Sequence, residues 1–222
     1  MVDVAAANRE AATIDRADVA QIPAMAAALA NAFFDDPAFN WVLRNDSGRM
    51  PVLRNAFELF LRRVWIEHEE TYTTASAAGV AAWEPPGQWK TSLGLQVRLL
   101  PSILSAFKRH TPRALRALTV LEGDHPSEPK HPPHYYLPAI GVDPQWQGRG
   151  LGTALLAPVL ARCDREQVPA FLEASSPRNR ALYERHGFKV LEEFTLGRAS
   201  PPLWRMWREP QGAVAPAAGA EA

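Results

Sequence analysis

The sequence predicts a mixed α/β or α+β domain in which helices cover the faces of a sheet. Three observations carry this. Apolar residues recur every three or four positions in some segments and form short strand-like runs in others. A pair of short strands precedes a second half in which strands and helices alternate. A length of 222 residues suits one ordinary core with decorations better than two.

Residues 1 to 11 and 210 to 222 are rich in Ala, Gly and Pro, with few large apolar side chains to offset the entropy of ordering, and are expected to be disordered tails around a domain spanning 12 to 209. A short strand at Thr13 to Asp15 leads into a helix capped by Asp18, with Ile22, Met25, Ala26, Leu29 and Phe33 at helical spacing, stopping near Asp36-Pro37. A second helix carries Val52, Leu53, Phe57, Phe60, Leu61, Val64 and Trp65. Thr71 to Thr74 and Gly79 to Trp83 form a hairpin closed by Pro85-Pro86-Gly87. Residues 88 to 133 read as an insertion placed to cover a pocket: helical patterns at Leu93 to Phe107 and Arg113 to Leu121, interrupted by Pro101 and Pro112, then a proline-rich loop from Glu122 to Pro133. Beyond it come a strand at Tyr135 to Val142, a helix at Gly150 to Arg165, a strand at Ala170 to Ala174, a helix at Arg178 to His186, and strands at Phe188 to Leu196 and Leu203 to Trp207.

The 24 basic and 24 acidic residues cancel, so no overall field gathers phosphate backbones or an anionic membrane, and neither nucleic acid nor membrane is expected as a partner. Asp3 and Glu10 interrupt the Ala-rich start, which lacks the basic and apolar regions of a secretory signal. The single cysteine, Cys163, has no partner for an internal disulfide, which fits a reducing cytoplasm.

Chemistry concentrates at Gln147-Gly148-Arg149-Gly150-Leu151-Gly152, between the strand ending at Val142 and the helix begun by Thr153. The first turn of a helix offers N–H groups without internal partners and the positive end of its dipole, and glycines let a phosphate approach the backbone. The segment is therefore read as a pyrophosphate site; the bland alternative is a glycine-rich turn that binds nothing. A Walker loop is excluded because no Gly-Lys-Ser/Thr follows, while Glu173 in the next strand leaves a dinucleotide site open.

Gln147, Gly150 and Gly152, followed by Tyr183, Gly187 and Phe188, resemble the two signatures of the GNAT family of acetyltransferases, Q/R-x-x-G-x-G/A and Tyr-x-x-x-Gly-Phe, in the family's order and spacing. Ala170 to Glu173, then Ser176-Pro177-Arg178-Asn179 and Tyr183-Glu184-Arg185, look like the puromycin N-acetyltransferase branch. The resemblance implies a twisted, mostly antiparallel mixed sheet flanked by helices. It implies acetyl-CoA as co-substrate, no metal, and a small-molecule amine as acceptor, on a monomer or homodimer. The pyrophosphate would lie on the amides of Gln147, Gly148, Arg149, Gly150, Leu151 and Gly152, next to Thr153. The pantetheine arm would pair with Ile140, Gly141 and Val142, where the family has a bulge that splays two strands. Many members carry Asn seven positions before the tyrosine; here that position is Ser176, and Asn179 is the candidate contact.

Within this scheme Tyr183 is the candidate acid toward the leaving thiolate, because a phenol near pKa 10 is a slightly weaker acid than a thiol near about 8.5. Glu173 is the candidate base for the amine, with His134 and Tyr135 as further candidates. A protein or peptide acetyltransferase and a non-catalytic acyl-CoA-binding module are the competing readings. His131 and His134 have ligand-like spacing without a third ligand, and Trp41, Trp65, Trp83, Trp89 and Trp146 read first as packing residues.

Overall fold

The structure is a computed structural model, and it describes residues 4–43, 47–90, 93–123, 125–127 and 130–212. Seven strands form one sheet: β1 (Ile14–Arg16), β2 (Thr71–Thr74), β3 (Gly79–Glu84), β4 (Tyr135–Val142), β5 (Ala170–Ala174), β6 (Lys189–Thr195) and β7 (Pro202–Arg208). Their order is β1-β2-β3-β4-β5-β7-β6, and every pairing is antiparallel except β4 with β5. The predicted mixed, mostly antiparallel sheet is thus present.

Each face of the sheet carries its own core. One lies beneath α2 (Ile22–Ala32), α3 (Pro37–Val42), α4 (Arg49–Phe60), α5 (Leu93–Phe107) and α6 (Thr111–Gly123), where Leu29, Leu53, Phe57 and Ile103 meet Val80, Ala82 and Ala139. The other lies beneath α7 (Leu151–Glu166), whose Leu155, Leu156 and Val159 meet Trp83, Leu137 and Leu172, with Tyr183 from α8 (Pro177–Arg185) at its edge. Among the described residues no helix is long and apolar enough to cross a membrane.

Three local outcomes differ from expectation. Residues 4–11, expected as part of a disordered tail, lie in helix α1 (Val4–Ala12): alanine favours helix, Ala7 is buried, and the Glu10 carboxylate accepts the Ser76 N–H at 3.0 Å, so packing offsets the ordering entropy. At the other end the expected tail lies outside the described residues from 213 onward, whereas Gln211 N–H still donates to Asp164 at 2.6 Å. The second predicted helix ends as α4 at Phe60 and continues as a π-helical turn over Leu61–Trp65, which changes the angle at which Trp65 leaves the helix. Pro101 stays within α5, while Pro112 sits in the first turn of α6, where its missing N–H costs nothing.

Candidate active site

Strand β4 is irregular where the sheet needs a gap. Ala82 pairs with Ala139 and Glu84 with Tyr136, so Leu137 and Pro138 on β4 stand opposite the single residue Trp83 on β3. This is a bulge, and it shifts the side-chain parity: Leu137 packs under α7, whereas Ala139, two residues on, faces α2 and α4. On the other edge β4 pairs with β5 only from Tyr135 to Leu137. Pro138 brings no N–H to continue the ladder, and the strands part there. Gly141 lies so close to α2 that a Cβ would stand 2.9 Å from Ala32 Cβ and 3.0 Å from Leu29 Cδ2. Only glycine lets helix and strand meet at that point.

A groove of about 620 Å³ runs along this free edge, walled by Ile140, Gly141 and Val142 and then by Gln147, Gly148, Gly150, Leu151, Gly152 and Thr153. Gly148 and Gly150 turn the chain with φ of 76° and 82°, and the first backbone bond into α7 is Ala154 N–H to Gly150 C=O at 3.0 Å. The N–H groups of Leu151, Gly152 and Thr153 therefore have no backbone partner among the described residues. Gln147 Nε2 donates to Val142 C=O at 2.9 Å, tying the loop to the strand end. Arg149 is absent from the groove wall; its guanidinium turns back to donate to Gln145 C=O at 2.7 Å. Asn179 lines the groove, and its Nδ2 donates to Ser175 Oγ at 3.3 Å. Ser176, in the position where many relatives carry Asn, caps α8 by accepting the Asn179 N–H at 3.2 Å.

Tyr183 closes the groove. It is buried against Phe188, with ring centroids 6.0 Å apart, and its hydroxyl has no protein hydrogen bond among the described residues. Burial raises its pKa above the usual phenol value, and the carboxylates of Asp36 and Glu173 push the same way. Asp36 caps α3 through the N–H groups of Ala38 and Phe39 and accepts a hydrogen bond from Ser175 Oγ–H. Sequence reasoning missed it as a groove residue, having read Asp36-Pro37 only as a helix stop.

Glu173 lines neither the groove nor the second cavity. Its Oε2 accepts from the Tyr136 hydroxyl at 2.9 Å and its Oε1 has no partner among the described residues; burial pushes its pKa up to about 7, against weaker lowering by Tyr136 and Arg205. Tyr135 points to the opposite face, where its hydroxyl donates to Glu166 at 3.2 Å. His134 stacks edge-on to Phe171 and Trp207, and its Nδ1 donates to Pro132 C=O at 2.9 Å. Neither reaches a cavity wall. His131 lies beside Trp207, and among the described residues no three His, Cys, Asp or Glu side chains group as metal ligands.

The second cavity, of about 480 Å³, lies on the α2 side of the sheet beyond Phe33, which walls both spaces. Pro138 and Ala139 of β4 form its floor, and helices α5 and α6 supply much of its wall, Ile103, Phe107 and Leu118 among them. Trp65 and Trp89 line it, Trp146 lines the groove, and Trp83 is fully buried.

A strand opened by a bulge, a free backbone edge and a helix start with unpartnered amides define an acyl-transfer enzyme of the acetyltransferase class. The chain belongs to the GNAT family: the description "Acetyltransferase (GNAT) family" matches residues 106–188, and an uncharacterized N-acetyltransferase of Schizosaccharomyces pombe is 30% identical over 196 residues, covering 84% of this chain and 78% of its own. A histone acetyltransferase HPA2-related acetyltransferase of Corynebacterium glutamicum has a similar structure, with TM-score 0.62, 25% identity, and 92% and 98% of the two chains covered. Arylalkylamine N-acetyltransferase 2 of Aedes aegypti shares the fold at TM-score 0.58 and 15% identity, with 88% and 97% covered.

Proposed function

We propose that this protein transfers the acetyl group of acetyl-CoA directly to the amine of a small molecule. The observation that carries the reading is the continuity of the groove. It leads from the three unpartnered amides of Leu151, Gly152 and Thr153, along the unpaired edge of β4, to the Tyr183 hydroxyl. The helix start fits a diphosphate, and the strand edge fits an amide-bearing arm that adds like another strand. Asn179, beside Ser175 and Asp36, faces the arm, and the Ser176 to Asn179 turn keeps the likeness to the puromycin N-acetyltransferase branch as a finer reading.

The chemistry is one displacement: the amine nitrogen bonds to the acetyl carbon as the carbon–sulfur bond breaks. Tyr183 donates a hydrogen bond, and then its proton, to the departing thiolate. The amine loses its proton through the Tyr136 hydroxyl to Glu173, whose raised pKa of about 7 suits a base near neutral pH. Calorimetry with CoA and acetyl-CoA, followed by thiol release with a panel of amines and peptides, tests this. Absence of CoA binding refutes the enzyme assignment, and acetylation of peptides alone moves the acceptor to protein.

Two expectations follow from named atoms. Turnover at saturating acetyl-CoA should rise through about pH 7 as Glu173 ionises, and Glu173→Gln should move that limb upward toward the amine's own ionisation, read in a pH–rate profile. The same raised pKa means the folded protein holds a proton that the unfolded chain has lost between about pH 4.5 and 7, so stability falls across that window, and the variant should flatten the fall in thermal melts. Gly150→Ala should cost about 1–2 kcal/mol of stability, because an alanine strains at φ 82°. Relaxation of the loop to relieve it should weaken CoA binding about tenfold by calorimetry.

A further inference from the structure

The apolar cavity contains one group out of keeping with its walls. Glu84, the last residue of β3, is 5% exposed, lines the cavity, and has an Oε2 with no hydrogen-bond partner among the described residues. A buried, half-satisfied carboxylate is costly unless something answers it. It stands directly across the strand pair from Tyr136, beside the bulge that opens β4.

The charges around Glu84 select the sign of that answer. Glu122 of α6 lines the same cavity, and Glu173 lies behind Tyr136. Burial, then Glu122, then Glu173 push the Glu84 carboxyl up to about 8, and Trp65 lowers it in part. Lys90 acts on Glu122 and Arg205 on Glu173. Among the described residues no Lys or Arg lines the cavity. An anion finds no basic partner on this wall, whereas an ammonium head draws the proton off Glu84 and pairs with the carboxylate it leaves.

The rest of the space selects the body attached to the cation. Away from Glu84, Glu122, Tyr136, Thr119 and a His125 that burial keeps neutral, the walls are aromatic and aliphatic, from Phe57 and Trp65 to Ile103 and Leu118. The volume of about 480 Å³ falls within the roughly 300–1,000 Å³ usual for small-molecule sites. Val97 and Leu100 of α5, 63% and 41% exposed, give the mouth an apolar rim.

We propose that this cavity is the acceptor site and takes a primary amine carried on a bulky apolar body, an arylalkyl or medium-chain alkyl ammonium, whose charged head is received by Glu84. The proposal rests on the acetyl-transfer reading of the same junction. Phe33, shared by both cavities, and Ala139, next to Ile140 on β4, put the head at the strand gap and the body under α5 and α6. Aromatic faces near the head add attraction for a cation.

The test is calorimetry on the full chain at about pH 8.5, above the raised Glu84 ionisation and below that of the apolar amines, with 2-phenylethylamine and octylamine, their alcohols 2-phenylethanol and octanol, and the polar amines putrescine and glucosamine. Each apolar amine is expected to bind at least tenfold tighter than its alcohol and than either polar amine. Glu84→Gln should erase the amine-over-alcohol preference and leave alcohol binding in place, with a thermal midpoint at or above wild type. Leu118→Trp, which fills the cavity without touching its charge, should weaken amines and alcohols together. Equal binding of amines and alcohols by the wild type, preference for putrescine or glucosamine, or a preference that survives Glu84→Gln would overturn the proposal. Acetyl transfer measured in parallel separates the two claims. Acetylated putrescine without apolar-amine binding sinks this site and keeps the enzyme, whereas Glu84-dependent amine binding without CoA binding keeps the site and sinks the enzyme.

Discussion

Replacing Tyr183 with Phe is expected to lower acetyl transfer about 10²–10⁴-fold while CoA affinity and thermal stability stay near wild type. The ring packs edge-on against Phe188, a contact that phenylalanine reproduces, and no protein hydrogen bond is lost with the hydroxyl. Only the groove sees the difference. Because burial raises the phenol's pKa, Tyr183 stays protonated throughout the working range and stands ready as a donor. A thiolate desolvated in the same groove becomes more basic too, which keeps the two groups matched. Single-turnover kinetics with saturating acetyl-CoA check this directly. A variant that retains full turnover would move the acid elsewhere, and one that also loses CoA binding would make Tyr183 a wall of the groove.

The second half of the fold was legible because its signals are local and redundant. The strands at 135–142 and 170–174 carry dense apolar and aromatic runs, and the loop between them holds glycines immediately before a helix. The α1 segment was illegible for the opposite reason: small alanines give no periodic pattern, and the contact that orders them, Glu10 with Ser76, joins residues 66 apart in sequence. The helical run from Val52 to Trp65 was legible in its spacing, but its switch to a π turn at Leu61 was not.

At the site, the motif segment lines the groove, while the direction of the Arg149 side chain, whose backbone amide was the expected contact, is not encoded in spacing. The acceptor side was harder. Tyr135 and Tyr136 are adjacent, and which one faces the cavity depends on strand parity, which the bulge at Leu137 and Pro138 then resets. Glu173 was singled out by its position before the Tyr183 helix, and in the fold it touches Tyr136 and not a cavity. Glu84 left a signal that went unused, a carboxylate closing a strand that is buried along its whole length. A charge in the last position of such a strand is either paired or functional.

Arg49→Met is expected to be the most destabilising single change outside the groove, and its consequence should reach the groove. Arg49 is fully buried at the start of α4 and ties three carbonyls: Nε donates to Phe34 at 2.9 Å, and Nη1 to Phe39 at 3.1 Å and Leu43 at 2.9 Å, with Phe34 also beneath the guanidinium at 5.4 Å. These carbonyls bracket α3, the short helix whose cap is Asp36. Methionine fills much of the volume but leaves the carbonyls unanswered and removes the positive charge that favours ionised Asp36. A loss of roughly 3–5 kcal/mol corresponds to a midpoint about 10 °C lower in a chain of this size. With Asp36 less ionised, its bond to Ser175 weakens, and Ser175 holds Asn179 against the groove. The KM for acetyl-CoA should therefore rise more than kcat falls. Adding Asp36→Asn to Arg49→Met should cost less than the sum of the two single changes, because the second removes a carboxylate the first has already stranded. Additive losses in thermal melts of the four proteins would show that Arg49 holds the loop by its carbonyl bonds alone.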